Sequence, residues 1–473
     1  MKNYVVKLKP VPEPRKDCSL IPVALTDETL EERRQKILFR MRAEGLERLV
    51  VYSDVEHGGN FEYLVGYYTR FEEGLLVIQA DGTMSLVLGN ENLNKAGKAR
   101  VQAAAVHVPV FSLPNQPCET PKTLREQLAA AGLEAGRRTG VAGWKLFTSP
   151  YEDVGQMYDL PAFIMDALRD VVGAEYLIPA GGLFIGENGA RVTNNANEIA
   201  HYEFAAALAS DCILDAMDAL DEGVPEMVLG DKLNRYGQHN SVVTIAASGP
   251  RFLKGNMYPT DNVVKVGDPI SLTVGYRGGL SSRAGFAVHN ASEMPDGQQD
   301  YLERVAAPYF NAYARWLEQL HVGMEGGALY ELVEQVLPRE KYGWGLCPGH
   351  LTAEEEWLCS PVRKDSKELL QSGMMLQIDI IPSVPGYGGT SAESTVALAD
   401  AALREELHSQ YPAMWERMQE RRAYLKDVLG IEILEDVLPM CSTVAYLRPY
   451  LLDHSGALTW EPTEAGSPPE YRD

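Results

Sequence analysis

Three residues between positions 350 and 393 carry side chains suited to proton transfer or cation binding: His350, Asp379 and Glu393. An imidazole beside two carboxylates can shuttle a proton near neutral pH, and the same set can hold a divalent ion. His350 follows Pro348-Gly349, a stiff approach that can aim its ring into a pocket. Asp379 ends a run in which Met375, Gln377 and Asp379 alternate with Leu376, Ile378 and Ile380. That is the period of a strand with one polar face. Ser391, Glu393 and Thr395 alternate in the same way with Ala392, Ser394 and Val396. Between the two runs, Pro382, Pro385, Gly386, Gly388 and Gly389 exclude a helix. They predict a hairpin-like return that sets the carboxylates on facing strands.

Charge and composition limit what such a site can serve. With 45% hydrophobic and 23% charged residues, the 473-residue chain has material for a large core. A formal charge of −23 argues against nucleic acid and against anionic membranes. No apolar run approaches the roughly 18 residues of a membrane span. The cysteines (Cys18, Cys118, Cys212, Cys347, Cys359, Cys441) are scattered without a CxxC pair, the pattern of reduced thiols. The N-terminus turns polar again at Lys7 and Lys9, too soon for a signal peptide, so a cytoplasmic protein is expected.

The elements that must position these residues follow from periodicity. Residues up to Pro22 read as an extended arm. A helix is predicted from Thr26 to Glu44, stopped by Gly45, and strands at Leu49–Tyr52, Gly74–Ile78, Met84–Leu88 and Thr139–Ala142. Helices at 122–131 and 161–169 complete an α/β domain over residues 1–180. After a glycine-rich boundary, a long helix spans 197–222 and a second begins at Glu226. The same order recurs, with a long helix at 300–320 kinked at Pro308 and a short one at 328–337. The pattern predicts an internal duplication over residues 190–473, two α+β halves sharing an antiparallel sheet. A helix over 412–428 and a tail that covers the sheet or meets a partner close the chain.

Gly349-His350, Gly373 through Asp379, and Ser391 to Ala397 resemble the motifs of the creatinase/aminopeptidase P/methionine aminopeptidase family, over residues 194–400. The resemblance implies a pita-bread fold. Asn60-Phe61-Glu62-Tyr63-Leu64-Val65-Gly66 is similar to the extra N-terminal domain of creatinase-like members. The family's metallopeptidases hold two metal ions with two Asp, one His and two Glu. Matched by position, the histidine is His350, Asp379 replaces the first glutamate, and Glu393 is the second. The aspartate positions carry Thr273 and Leu280, and neither can bridge two cations. No two-metal centre and no cofactor are therefore expected. Creatinase implies that the fold can hydrolyse a C–N bond without metal, and it resembles this chain in lacking both aspartates and in the arginine matched by Arg283. Its catalytic histidine falls on Met257, or on Tyr258 if the register moves by one, and its glutamate falls on Ser282. Methionine cannot carry a proton, so creatinase's own route is not expected.

Arg283 either holds a substrate carboxylate with its fork or neutralises Asp379. Trp357 stands at the family's second histidine and either walls a pocket or fills core. Glu354-Glu355-Glu356 reads as a solvated face. Cys347 is close to His350 in sequence, but proximity along the chain does not make a nucleophile pair. His289 would serve as a base only if it points inward.

The expected protein has an α/β N-terminal domain and an α+β pita-bread C-terminal domain. It is expected to be a metal-independent hydrolase or lyase for a C–N bond of a small polar amide, amidino or amino-acid-like substrate. His350 is the expected proton shuttle, oriented with Asp379 and Glu393, while Arg283, Tyr258 and Trp357 contact substrate. A homodimer is implied by the resemblance. The alternatives are a non-catalytic binding protein and a peptidase with one metal at His350, Asp379 and Glu393.

Overall fold

In the computed structural model, which describes residues 4–250 and 258–462, strand β1 (Tyr4–Pro10) and an extended arm precede helix α1 (Asp27–Ala43). Thr26 caps α1 by accepting a hydrogen bond from the Thr29 amide, and Asp27 and Glu28 lie at the positive end of the helix dipole. Leu30, Ile37, Leu38 and Met41 form its buried stripe.

The unit Leu25–Val192 is built on one mixed sheet. After α1 come β2 (Arg48–Ser53), α2 (Gly59–Val65), β3 (Gly74–Gln79), β4 (Met84–Leu88) and β5 (Ala104–His107). Then follow α3 (Leu124–Ala130), β6 (Thr139–Ala142), α4 (Ala162–Val172) and β7 (Leu177–Pro179). The strand order is β5-β4-β3-β2-β6-β7, antiparallel from β2 to β4 and parallel elsewhere. Two elements have no sequence signal. α2 lacks a capping side chain, and β5 is mostly solvent-facing and so lacks apolar alternation.

The second unit joins Thr193–Asp473 to the segment ending at Ala24, so the arm does not belong with the N-terminal domain where sequence order placed it. A buried ion network explains this. Arg421 grips Asp17 through Nε at 2.7 Å and Nη2 at 2.8 Å, and its Nη2 also meets Glu203 Oε1 at 2.7 Å. Removing one partner from such a buried group costs about 3–5 kcal/mol, enough to hold an arm that has little core of its own.

In this unit α5 (Ala196–Ala219) starts at a reciprocal capping box between Asn195 and Glu198. It is followed by α6 (Glu226–Leu233) and the sheet β8 (Ile245–Ser248), β9 (Pro269–Tyr276) and β10 (Gly279–Phe286), ordered β10-β9-β8. Small residues let α5 lie close against the hairpin. A side chain at Gly279 would meet the Ala206 Cβ at 2.6 Å. The arrangement then repeats. A π-helical turn, Leu302–Ala306, leads into α7 (Ala307–Gln319), α8 (Gly326–Val336) and the short α9 (Arg339–Tyr342). Pro308 has no amide to donate, and the widened turn before it absorbs that loss where a kink was expected. β11 (Cys347–Leu351), β12 (Met375–Asp379) and β13 (Val396–Leu398) form the second antiparallel set.

The chain closes with α10 (Ala401–Gln410), α11 (Pro412–Tyr424), β14 (Val437–Pro439) and β15 (Gly456–Pro462). β14 extends the second sheet beside β13, and β15 pairs antiparallel with β1 along its length. Single bridges at Ser281–Ser394 and Ala284–Ser391 join the two sheets along β10. The segment before β13 is therefore not a regular strand, although it runs extended beside β10.

Candidate active site

A β-bulge decides which residues of β11 face the site. Cys347 pairs with Asp379, yet His350 pairs with Gln377, so three steps on β11 match two on β12. The extra residue lies at Pro348-Gly349. Because side chains alternate faces along a strand, it brings His350 onto the face of Gln377 and Asp379, where a regular strand would turn it away. A side chain at Gly349 would meet Val362 Cγ2 at 2.8 Å, so glycine is needed there. The Trp316 indole secures the same bend by donating to the Pro348 carbonyl at 2.6 Å.

His350 is 0% exposed and sits between two carboxylates. Its Nε2 is 3.2 Å from Glu356 Oε1 and 3.4 Å from Glu393 Oε1. The Trp357 ring stacks on the imidazole at 4.3 Å and 14°. The Gln377 amide nitrogen donates to the same two oxygens, at 3.3 Å for Glu356 and 3.0 Å for Glu393. The Gln377 carbonyl accepts from Thr395 Oγ1 at 2.6 Å and from the Leu280 amide at 3.1 Å. Burial alone would push the His350 imidazole down. The Glu356 charge, with hydrogen bonds to Glu356 and Glu393, overrides it and holds the ring well above its usual range. Burial raises the Glu393 carboxyl. Burial and the Glu393 charge push Asp379 up to about 8, so Asp379 is a carboxylic acid at neutral pH.

Of the residues expected here, the structure brings His350, Glu393 and Trp357 into contact and sets the others apart from that contact. Among the described residues Asp379 makes no side-chain hydrogen bond; it feels the charges of Glu393 and His350 across space. Arg283 is 1% exposed and spends its Nη donors on partners other than Asp379. Its Nη1 donates to the carbonyls of Ser282 at 2.6 Å and Glu393 at 2.8 Å, and its Nη2 donates to Ser394 Oγ and the Thr443 carbonyl. It ties the segment around Glu393 to β10. Tyr258 is 60% exposed and makes no hydrogen bond to the cluster among the described residues, and Met257 lies outside them. His289 faces solvent, 2.9 Å from Glu293. Burial raises the Cys347 thiol, which is engaged by Ser360 Oγ and the Val362 carbonyl.

Two members of the site went unrecognised. Glu356 lies in an acidic run that reads as a solvated face, but Glu354 is buried and Glu356 points at His350. Gln377 shows in sequence only as part of the polar face of β12. The signal for it was there, since a polar residue between Leu376 and Ile378 must find buried partners.

Thr273 and Ser282 hydrogen-bond each other at 2.8 Å in the neighbouring sheet, and Leu280 is apolar. A two-metal centre does not fit these residues. A single cation has three candidate ligand atoms within 4.8 Å of one another, on His350, Glu356 and Glu393, with Asp379 not among them. The Gln377 amide hydrogens already point at two of those atoms.

Residues 200–400 match the family model described as Metallopeptidase family M24. Among solved structures the chain is similar to an Xaa-Pro dipeptidase from Bacillus anthracis, at 18% identity and TM-score 0.59, covering 79% of this chain and 96% of that one. It is similar to a prolidase from Thermococcus sibiricus at 16% identity and TM-score 0.61, covering 78% and 95%. It is also similar to an X-Pro aminopeptidase from Thermotoga maritima MSB8 at 15% identity and TM-score 0.58, covering 78% and 95%. At such identities the likeness establishes the fold. No curated protein sequence matches the chain.

Proposed function

Because residues 200–400 form a pita-bread domain of the M24 family, we propose that the protein is a hydrolase-type member that has exchanged metal chemistry for proton transfer. Its substrate in this reading is a small polar amide, amidino or amino-acid-like compound, cleaved at a C–N bond. The observation that supports this is the closed cluster of His350, Glu356, Gln377 and Glu393 beside a neutral Thr273–Ser282 pair. The Glu356 side chain, 19% exposed, is the carboxylate that incoming water meets first. It takes a proton from that water as the oxygen adds to the substrate carbon, and the proton leaves on the departing nitrogen. His350, protonated and paired, holds the charge of Glu356 and Glu393 in place during the transfer, and Trp357 shields its ring. Unlike the role first expected of it, Arg283 acts here only through the backbone around Glu393.

The six unpaired cysteines support a cytoplasmic setting, and the assembly proposed is a homodimer. No helix among the described residues is long and apolar enough to cross a membrane. The test is a panel of amides and amidines given to chelator-treated protein. Turnover that survives chelation and falls at least about 100-fold in Glu356→Gln supports the reading, a loss typical of removing a general base. Undiminished turnover in that variant ends it. The three ligand atoms within 4.8 Å favour a second reading, a single-metal peptidase, and activity restored only by a divalent ion would select it. Ligands that stabilise the fold without any product would instead select a non-catalytic binding protein.

A further inference from the structure

We infer that Gln377 is the positioning residue of this site, a neutral amide standing where a cation would otherwise offset Glu356 and Glu393. The inference rests on the metal-independent reading above and adds what makes that reading structurally possible.

Gln377 is fully buried at the centre of β12. Its Nε2 and the His350 Nε2 approach the same two oxygens, Glu356 Oε1 and Glu393 Oε1, from opposite sides of a four-atom ring. A buried carboxylate and a half-buried one within 4.8 Å of each other need positive partners, and here the imidazole and two amide hydrogens supply them. The amide cannot turn over. Its oxygen accepts from the Leu280 backbone N–H, a group that can only donate, and from Thr395 Oγ1. Rotation would set amide hydrogens against that N–H and leave a buried donor unpaired, which is unfavourable. The hydrogens are therefore locked toward the carboxylates.

A divalent ion needs lone pairs on every side, and at this point it meets N–H hydrogens instead. Leu280 contributes twice to that outcome. Its side chain offers no ligand, and its backbone fixes the amide that fills the space. Thr395, two residues beyond Glu393, links the same amide to the segment that delivers the carboxylate.

The experiment compares wild type, Gln377→Glu and Gln377→Met. Each is stripped with chelator, dialysed, and titrated with Mn²⁺ by calorimetry, and bound ions are counted by elemental analysis. Gln377→Glu keeps an acceptor for Leu280 and Thr395 and turns a second oxygen to the cluster. It is expected to take one Mn²⁺ per chain at least about 100-fold more tightly than wild type. Gln377→Met removes the blocking hydrogens without adding charge, and a gain of at least about 10-fold is expected. In both variants Mn²⁺ should raise the unfolding midpoint, whereas in wild type it should not. Should the glutamate variant fail to fold, the methionine variant decides. Stoichiometric Mn²⁺ in wild type, as tight as in Gln377→Glu, overturns this inference and the metal-independent reading together. No gain in a natively folded Gln377→Met overturns this inference alone and leaves that reading standing.

Discussion

The two halves of the second unit have the same plan and opposite chemistry. Each runs from a long helix through a short one into antiparallel strands, α5 and α6 before β8–β10, and α7 and α8 before β11–β13. In the first half the polar residues near the junction are hydroxyls paired with each other, Thr273 and Ser282 at 2.8 Å. In the second they are His350, Glu356, Gln377, Asp379 and Glu393, all interacting by hydrogen bond or charge. The plan therefore sets where side chains meet, and it does not set what they do there. A neutral half can lose its polar pair at small cost, whereas the charged half cannot lose one member without stranding the others.

The comparison can be broken first at His350. His350→Leu leaves buried Glu393 facing half-buried Glu356 without their cation, and about 3 kcal/mol of stability should go with it. Urea unfolding at neutral pH measures this, and a loss near zero would mean the charged half is no more dependent on its members than the neutral one.

Asp379 gives a pH signature that the first half lacks. Its folded carboxyl titrates at about 8, against about 3.9 in an unfolded chain. Between those values the folded protein keeps a proton the unfolded chain has lost, so this group makes stability fall as pH rises through the window. Above and below the window it adds no slope. Asp379→Asn should remove that decline, and unfolding midpoints at acid, neutral and alkaline pH will show whether the curve flattens.

The smallest effect is expected in the neutral half. Thr273→Val keeps the shape and deprives the Ser282 hydroxyl of its partner, for a loss of about 1 kcal/mol. A loss as large as that of His350→Leu would erase the distinction between the halves.

Most elements were legible because their signals are local. Thr26 before Asp27-Glu28 and the alternation in Met375–Asp379 state their own conformations. The duplicated order of helices and strands was legible for the same reason. Glu356 and Gln377 were not recognised as site members, because their roles depend on partners far along the chain and on a one-residue bulge that periodicity does not encode.

By itself, then, the sequence determined the α/β and α+β character of the two units, the strand carrying Asp379, and the neutral residues Thr273 and Leu280 at positions where the family resemblance implies aspartates. Tertiary structure alone decided that His350 faces Gln377 and that Arg283 spends its donors on backbone carbonyls. It alone decided that the arm belongs to the second unit. The physical reason is common to all three. A side chain's type fixes what it can donate or accept, whereas burial and register decide which partner is within reach.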